Sequence, residues 1–368
     1  MDINARQTGI LLFMCILANK FLLLPSLMFK QTKNDAIFVL IILFVLDIIA
    51  LPIFFKLKRK YPDKKLFEIL SKHLTKTITI MIYIVFAFYF LIKAILTVDV
   101  VYSYLKQQVY QGDFFLLALI SIIPVVNHAA LKGVRVMSRT MEIFFFIVIV
   151  GFLTCLGFSL FTNFSMPVFF TSSIKEILSS SYKNAFAFGD FIFLFLIIDK
   201  VKLKKNDEKI IYKYSFFAIF LIFLLFFLYY AKFQETSFMH NAAISDILVF
   251  SVQFNAIGRL DIISMITIMF ITTFELEIFA YGFCESLLNL TPKVNKQFSI
   301  IFLDVIGFLL YTLYFGRYEY IISSFSSWLI YIAILINYLL PAIFYFLSLN
   351  YKRKEKNELK IQIEIDKK

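Results

Sequence analysis

Two charges fall where this chain tolerates charge least. Lys20 interrupts an apolar run over residues 8–29, and Asp190 sits near the centre of another at 184–199. A charge at the middle of a bilayer costs at least about 2.5–3.5 kcal/mol on insertion scales, so each requires a partner or a wet cavity. Two chemistries are open. Together they can form the floor of a ligand site, Lys20 facing an acidic group and Asp190 an amine. Equally, they can neutralise each other and hold two parts of the molecule together.

Asp47, Lys93, Asp99, Glu275 and Glu277 also lie inside apolar runs. A buried carboxylate able to gain and lose a proton suits proton coupling, and interhelical pairing, such as Glu275 with Lys20 or Lys93, is the plainer role. Lys93 and Asp99 are six residues apart, a rotation of about 240° on a helix, so they do not pair along one face. Other chemistry has little to stand on. His73, His128 and His240 are scattered, no His/Glu/Cys set has metal spacing, and neither a phosphate loop nor a Ser/His/Asp arrangement appears. No enzyme activity, metal or cofactor is expected. Cys15, Cys155 and Cys284 fall in apolar runs and read as free thiols acting as small apolar residues. Arg135, Arg139, Glu142, Arg259 and Asp261 lie at span ends, where charge is cheap.

The elements that must position these groups are apolar spans. Of 368 residues, 61% are hydrophobic and 48 are Phe. Apolar runs repeatedly reach the roughly 20 residues a helix needs to cross a bilayer. Ten are expected, at about 8–29, 36–55, 78–104, 114–131, 140–161, 184–199, 211–231, 260–283, 299–316 and 322–349. The fold class is therefore all-α and polytopic. The net charge of +12 does not indicate nucleic acid, because the cations sit on alternate loops without interleaved aromatics. With the N-terminus cytoplasmic, 27 of the 37 Lys and Arg lie on the inner side and 8 on the outer, leaving Lys20 and Lys93 inside spans. That asymmetry puts both termini in the cytoplasm.

The first run is too long for a cleavable signal and no small-residue cleavage site follows it. Linkers are short, giving one transmembrane domain over 1–350 and a charged cytoplasmic tail over 351–368. The outer connection 232–258 contains the apolar stretch Ile247 to Phe254, which predicts a short helix in or dipping toward the membrane.

Ten spans make two sets of five, and because five is odd the second set enters the membrane in the opposite direction. This is the arithmetic of an inverted repeat, in which the first helix of each half is often broken at mid-membrane. Spans one and six both show a break signal: Ala18-Asn19-Lys20 with Pro25 beyond it, and Phe188-Gly189-Asp190. Such positions are tolerated where backbone lines a protein-enclosed cavity.

Several local patterns then coincide. They are Ile3-Asn4-Ala5-Arg6-Gln7 with Pro25 and Asp35-Ala36 following, and the loop Tyr61-Pro62-Asp63-Lys64-Lys65-Leu66-Phe67-Glu68. Further on come Gly133-Val134-Arg135 through Arg139 to Glu142, Phe188-Gly189-Asp190, and Gly258-Arg259-Leu260-Asp261. In this order they cover most of residues 3–350, and the chain resembles the permease-like B subunits of spore-germinant receptors. That family belongs to the amino acid–polyamine–organocation transporter superfamily. The resemblance implies a five-plus-five inverted repeat with a ligand between broken helices one and six, beside helices three and eight. Ala18, Asn19, Lys20, Asp99, Phe188, Gly189, Asp190 and Glu275 are then the candidate ligand-binding residues. It also implies a small metabolite, an amino acid in the leading reading, and a spore inner membrane location with receptor A and C subunits as partners. The family usually carries Gly-Thr at the first break, where this chain has Ala18-Asn19 followed by the fixed cation of Lys20. Two rivals stay open: an ion-coupled amino acid or amine transporter, and a non-binding structural subunit of a membrane complex.

Overall fold

The structure is a computed structural model and describes residues 2–18, 20–108, 114–160, 165–204, 206–240, 242–249, 261–291, 293–314 and 328–346. Among these the chain is helical, with one isolated parallel bridge between Ile3 and Val201. Fifteen α-helices follow in order: α1 (Ala5–Leu17), α2 (Leu24–Thr32), α3 (Ala36–Ile48), α4 (Ala50–Lys60), α5 (Leu66–His73), α6 (Lys76–Gln108), α7 (Phe114–Lys132) and α8 (Val134–Ser159). After them come α9 (Ile174–Asn184), α10 (Ile192–Leu196), α11 (Asp207–Phe233), α12 (Ala243–Val249), α13 (Asp261–Leu290), α14 (Lys296–Tyr314) and α15 (Trp328–Phe346).

Among the described residues, six helical stretches are long and apolar enough to cross a membrane: Leu24–Lys60, Lys76–Leu105, Val134–Phe158, Asp207–Met239, Ile262–Leu290 and Trp328–Phe346. The first of these is interrupted by a 3-10 turn at Lys33–Asp35, where Lys33 takes a φ of 49°. Large apolar side chains such as Ile143, Phe146, Phe308 and Trp328 stand exposed on the helix surfaces. Water would not accept so much apolar surface, and lipid does. The chain is an all-α polytopic membrane protein. A short helix, α12, lies in the connection 232–258 and takes in Ile247 to Val249 of the apolar stretch, while Phe250 to Phe254 lie outside the described residues, as does the tail 351–368.

The interior is organised around α1. Every residue from Ile10 to Leu17 is buried, so α1 has no outward face and packs against α8, α11 and α13. The long α6 lies against α13. Local chemistry sets the helix starts. Asn4 and Gln7 form a capping box on α1, and Ser173 and Glu176 another on α9. Those Ser173 hydrogen bonds hold the Glu176 carboxyl below its ordinary value.

Asp35, wholly buried, accepts the backbone N–H groups of Phe170, Thr171 and Ser172 at 2.6, 2.7 and 2.6 Å. One carboxylate thereby ties the segment before α9 to the start of α3. At the opposite ends of the helices, Ile3 N–H donates to the Lys200 carbonyl at 2.8 Å and Lys202 N–H to the Ile3 carbonyl at 2.9 Å. The ion pairs Asp2–Lys202, Arg6–Glu142 and Arg59–Glu208 gather around that bridge.

Candidate functional site

Both expected interruptions are present. Helix α1 stops at Ala18, whose ψ of 148° leaves the helical region, and helical structure resumes at Leu24. Asn19 lies outside the described residues. The unwound backbone needs other partners for its carbonyls, and α12 supplies them. Ala243 N–H donates to the Leu22 carbonyl and Ile244 N–H to the Phe21 carbonyl, each at 3.3 Å. The short helix thus caps the first break.

The second break runs from a 3-10 turn at Ala185–Ala187 to α10. Phe188 is extended and Gly189 takes a φ of +94°, a conformation that side-chain-bearing residues rarely adopt. Space also demands glycine here: a Cβ on Gly189 would lie 2.1 Å from Asn337 Oδ1. Three neighbouring helices, α3, α6 and α15, help to satisfy the freed backbone. Asp47 on α3 accepts from Gly189 N–H at 3.1 Å and from Asp190 N–H at 3.4 Å. The Phe188 carbonyl accepts from Lys93 Nζ at 3.0 Å and Asn337 Nδ2 at 3.2 Å; the Tyr89 hydroxyl lies 3.3 Å from it and 3.0 Å from Asn337 Oδ1, its nearer acceptor. Asn337 Nδ2 also donates to the Ala185 carbonyl at 3.2 Å. It sits on a π turn of α15, Ile334–Leu339, a helix distortion frequent at functional sites.

The two breaks meet through their charges. Lys20 Nζ lies 2.7 Å from Asp190 Oδ2, with 1% and 3% of the two side chains exposed. Phe188 places its ring 5.1 Å from the ammonium, and Cys15 Sγ is 3.9 Å from the Asp190 carbonyl. A pair this dry gains strong attraction and loses much hydration, so removing either partner costs far more than the pair itself contributes.

The Thr97 hydroxyl on α6 lies 3.1 Å from a Glu275 carboxylate oxygen on α13 and 3.0 Å from the Lys93 carbonyl, two acceptors for its one proton. Lys20, Lys93, Asp47, Asp190 and Glu275 thus lie in one buried region. Asp99 is buried on α6, and no hydrogen bond among the described residues joins it to this group. Glu277 is buried on α13 with its Oε2 unpartnered. Among the described residues no group of His, Cys, Asp or Glu is arranged to hold a metal ion, and the three cysteines are buried and free.

Of the expected residues, Ala18, Lys20, Phe188, Gly189 and Asp190 come together, with Glu275 at the edge. Tyr89 and Asn337 were not anticipated. The only signal for Asn337 is a lone amide in the apolar run 322–349, and nothing in the sequence says which helix it faces. Three of the separate sequence patterns also converge: Asn4, Gln7, Pro62, Asp63, Arg135 and Arg139 line one cavity beside the Ile3–Val201 bridge.

No curated protein matches the chain. The family model described as spore germination protein, the spore permeases, matches residues 2–320. With its helices, its paired breaks and that match over most of its length, the chain belongs to the spore germination protein family and is a membrane permease of germinant-receptor type.

Proposed function

We propose that this protein is the permease-like subunit of a spore germinant receptor and binds a small zwitterion, an amino acid, between its two broken helices. The observation that carries the reading is the Lys20–Asp190 contact of 2.7 Å, which links the two breaks. An amino acid offers the complementary charges: its carboxylate takes the Lys20 ammonium and its own ammonium takes Asp190. Binding then exchanges an internal ion pair for two ligand pairs and separates the unwound segments. Such a ligand shifts the protein only by preferring the opened arrangement.

In the same reading ten crossings form a five-plus-five inverted repeat. The domain spans 1–350, both termini are cytoplasmic, the membrane is the spore inner membrane, and the A and C subunits receive the signal. Ala18, Asn19, Phe188 and Gly189 supply backbone to the ligand, and Asp99 and Glu275 flank it from the third and eighth spans.

The test is a panel of amino acids added to the purified chain, with unfolding followed in detergent. A true ligand at 100 times its Kd stabilises by about 2.7 kcal/mol. That stabilisation should vanish in Asp190→Asn. If no amino acid shifts the midpoint, the binding role is lost.

A second reading, a structural subunit with a sealed centre, is favoured by the same contact, because the pair is already neutral and dry. It predicts that Lys20→Met/Asp190→Leu leaves germination intact, whereas the ligand reading predicts loss of the response. The unpartnered Glu277 Oε2 favours a third, proton-coupled amino acid transport. Uptake of labelled amino acid into vesicles, abolished by Asp190→Asn, would select it.

A further inference from the structure

Away from the breaks, a cavity of about 330 Å³ lies at the helix ends on the basic side of the molecule. It is walled by Lys65 before α5, Lys132 and Arg135 flanking the α7–α8 turn, Lys200 after the second break, and Lys296 at the start of α14. These five cations face one lining carboxylate, Glu285. That carboxylate is already engaged, 2.8 Å from Lys200 Nζ and 2.9 Å from the Tyr281 hydroxyl. Lys296 Nζ donates to the Leu131 carbonyl at 2.7 Å and lies 5.2 Å from the Tyr281 ring, so it shares Glu285 with Lys200 and has no carboxylate of its own. Lys65, Lys132 and Arg135 are exposed and have no ion-pair partner among the described residues. Like charges gathered around one hollow repel one another, and an anion inside it removes that repulsion.

The donors on offer narrow the class of anion. Arg135 presents a planar fork suited to two oxygens of one group, and the lysines supply point charges around it. Gly133 and Val134, where α8 begins, line the same space, and no side chain caps the start of that helix. Many donors arriving from several directions match a tetrahedral oxyanion better than a planar carboxylate.

We propose that this cavity binds a phosphate group, carried by an anionic lipid headgroup or by a soluble phosphate compound. Both sources share the chemistry, and both have access to the ends of the helices. Lys200 closes the run of turns that leaves the second break, and its carbonyl holds Ile3. A phosphate in the cavity therefore joins the exit of that break to the α7–α8 turn and to α14. The inference stands apart from the amino acid reading, since it uses none of the same side chains.

The test uses the full chain and its three buried thiols, which a thiol-reactive dye reaches only on unfolding. One arm titrates sodium phosphate at constant ionic strength against chloride in neutral detergent. The other compares bilayer discs of phosphatidylcholine with discs containing phosphatidylglycerol. A midpoint raised by phosphate identifies a soluble source, and one raised by phosphatidylglycerol alone identifies a headgroup.

In either case Lys132→Gln/Arg135→Gln should raise the half-saturating concentration at least tenfold. Lys64→Gln/Lys293→Gln makes the same charge change outside the cavity and should leave it within twofold. Stabilisation by neither probe overturns the proposal. So does an equal loss in both double variants, which would assign the effect to net charge.

Discussion

Asp190→Asn would strand the Lys20 ammonium in a dry interior. An uncompensated buried charge costs about 3–5 kcal/mol, so the variant should unfold at a far lower denaturant concentration in mixed micelles. Removing both charges together, as in Lys20→Met/Asp190→Leu, should restore most of that stability whatever the pair does in the cell. Failure of the double variant to recover would mean that the carboxylate matters to folding through contacts other than Lys20. Gly189 is the second sensitive position. Gly189→Ala combines a strained φ, worth roughly 1–3 kcal/mol, with a collision against Asn337. Adding Asn337→Ala should relieve the collision and leave the backbone strain. The pair should therefore recover part of the lost midpoint and no more. Full recovery would show that Gly189 was chosen for space alone.

Among the elements, two ties at opposite ends of the helices make separate forecasts. On one side Asp35 holds three consecutive N–H groups, so Asp35→Ala should speed hydrogen exchange at residues 170–172 while the α1 amides stay protected. On the other, the Asp2–Lys202 pair flanks the Ile3–Val201 bridge. The hydrogen bond from Lys202 holds the Asp2 carboxyl below its ordinary value of 3.8, and the same bond raises the Lys202 ammonium above 10.5. A lowered carboxyl supports the bridge above its unfolded value and loses that support as pH falls through the folded one. A raised ammonium supports it below its unfolded value and loses support as pH rises through the folded one. Intrinsic exchange rates being allowed for, the Ile3 and Lys202 amides should be best protected between these limits. Asp2→Asn should erase the acid limb, and an unchanged limb would assign it to another group.

These elements also show what a sequence can convey. The break at Phe188-Gly189-Asp190 is legible because glycine and a carboxylate in mid-span leave few alternatives. Part of α12 is legible, as the apolar stretch that begins at Ile247. Its task is not, because the donors of Ala243 and Ile244 meet carbonyls more than two hundred residues earlier. Tyr89 and Asn337 stay hidden for a related reason. An isolated polar residue in a span carries no periodicity, and only packing decides whether it turns toward lipid or toward the Phe188 carbonyl.

At the scale of the whole molecule, the arrangement in the membrane is open to direct measurement. The native thiols are buried, so single cysteines introduced at exposed positions can be labelled against a low background. Lys64→Cys and Lys204→Cys should react only with reagent on the cytoplasmic face, and Lys175→Cys only from the opposite face. Labelling of Lys64 and Lys175 positions from the same side would sink the inverted-repeat arrangement. The charge asymmetry is the sequence's argument for this orientation, and the labelling decides it. By contrast, the cavity beside Lys200 draws its walls from five separate helix ends, and no local pattern announces it.

The Phe188 carbonyl has a consequence of its own. An ammonium from α6 and an amide from α15 take both lone pairs of one oxygen, and a phenol beside them turns toward the oxygen of that same amide. Turning that peptide group releases both donors at once, so partial movement gains little and full movement changes the anchoring of two helices together. A knot tied this way slips abruptly, and a graded dose of stimulus would emerge as a threshold.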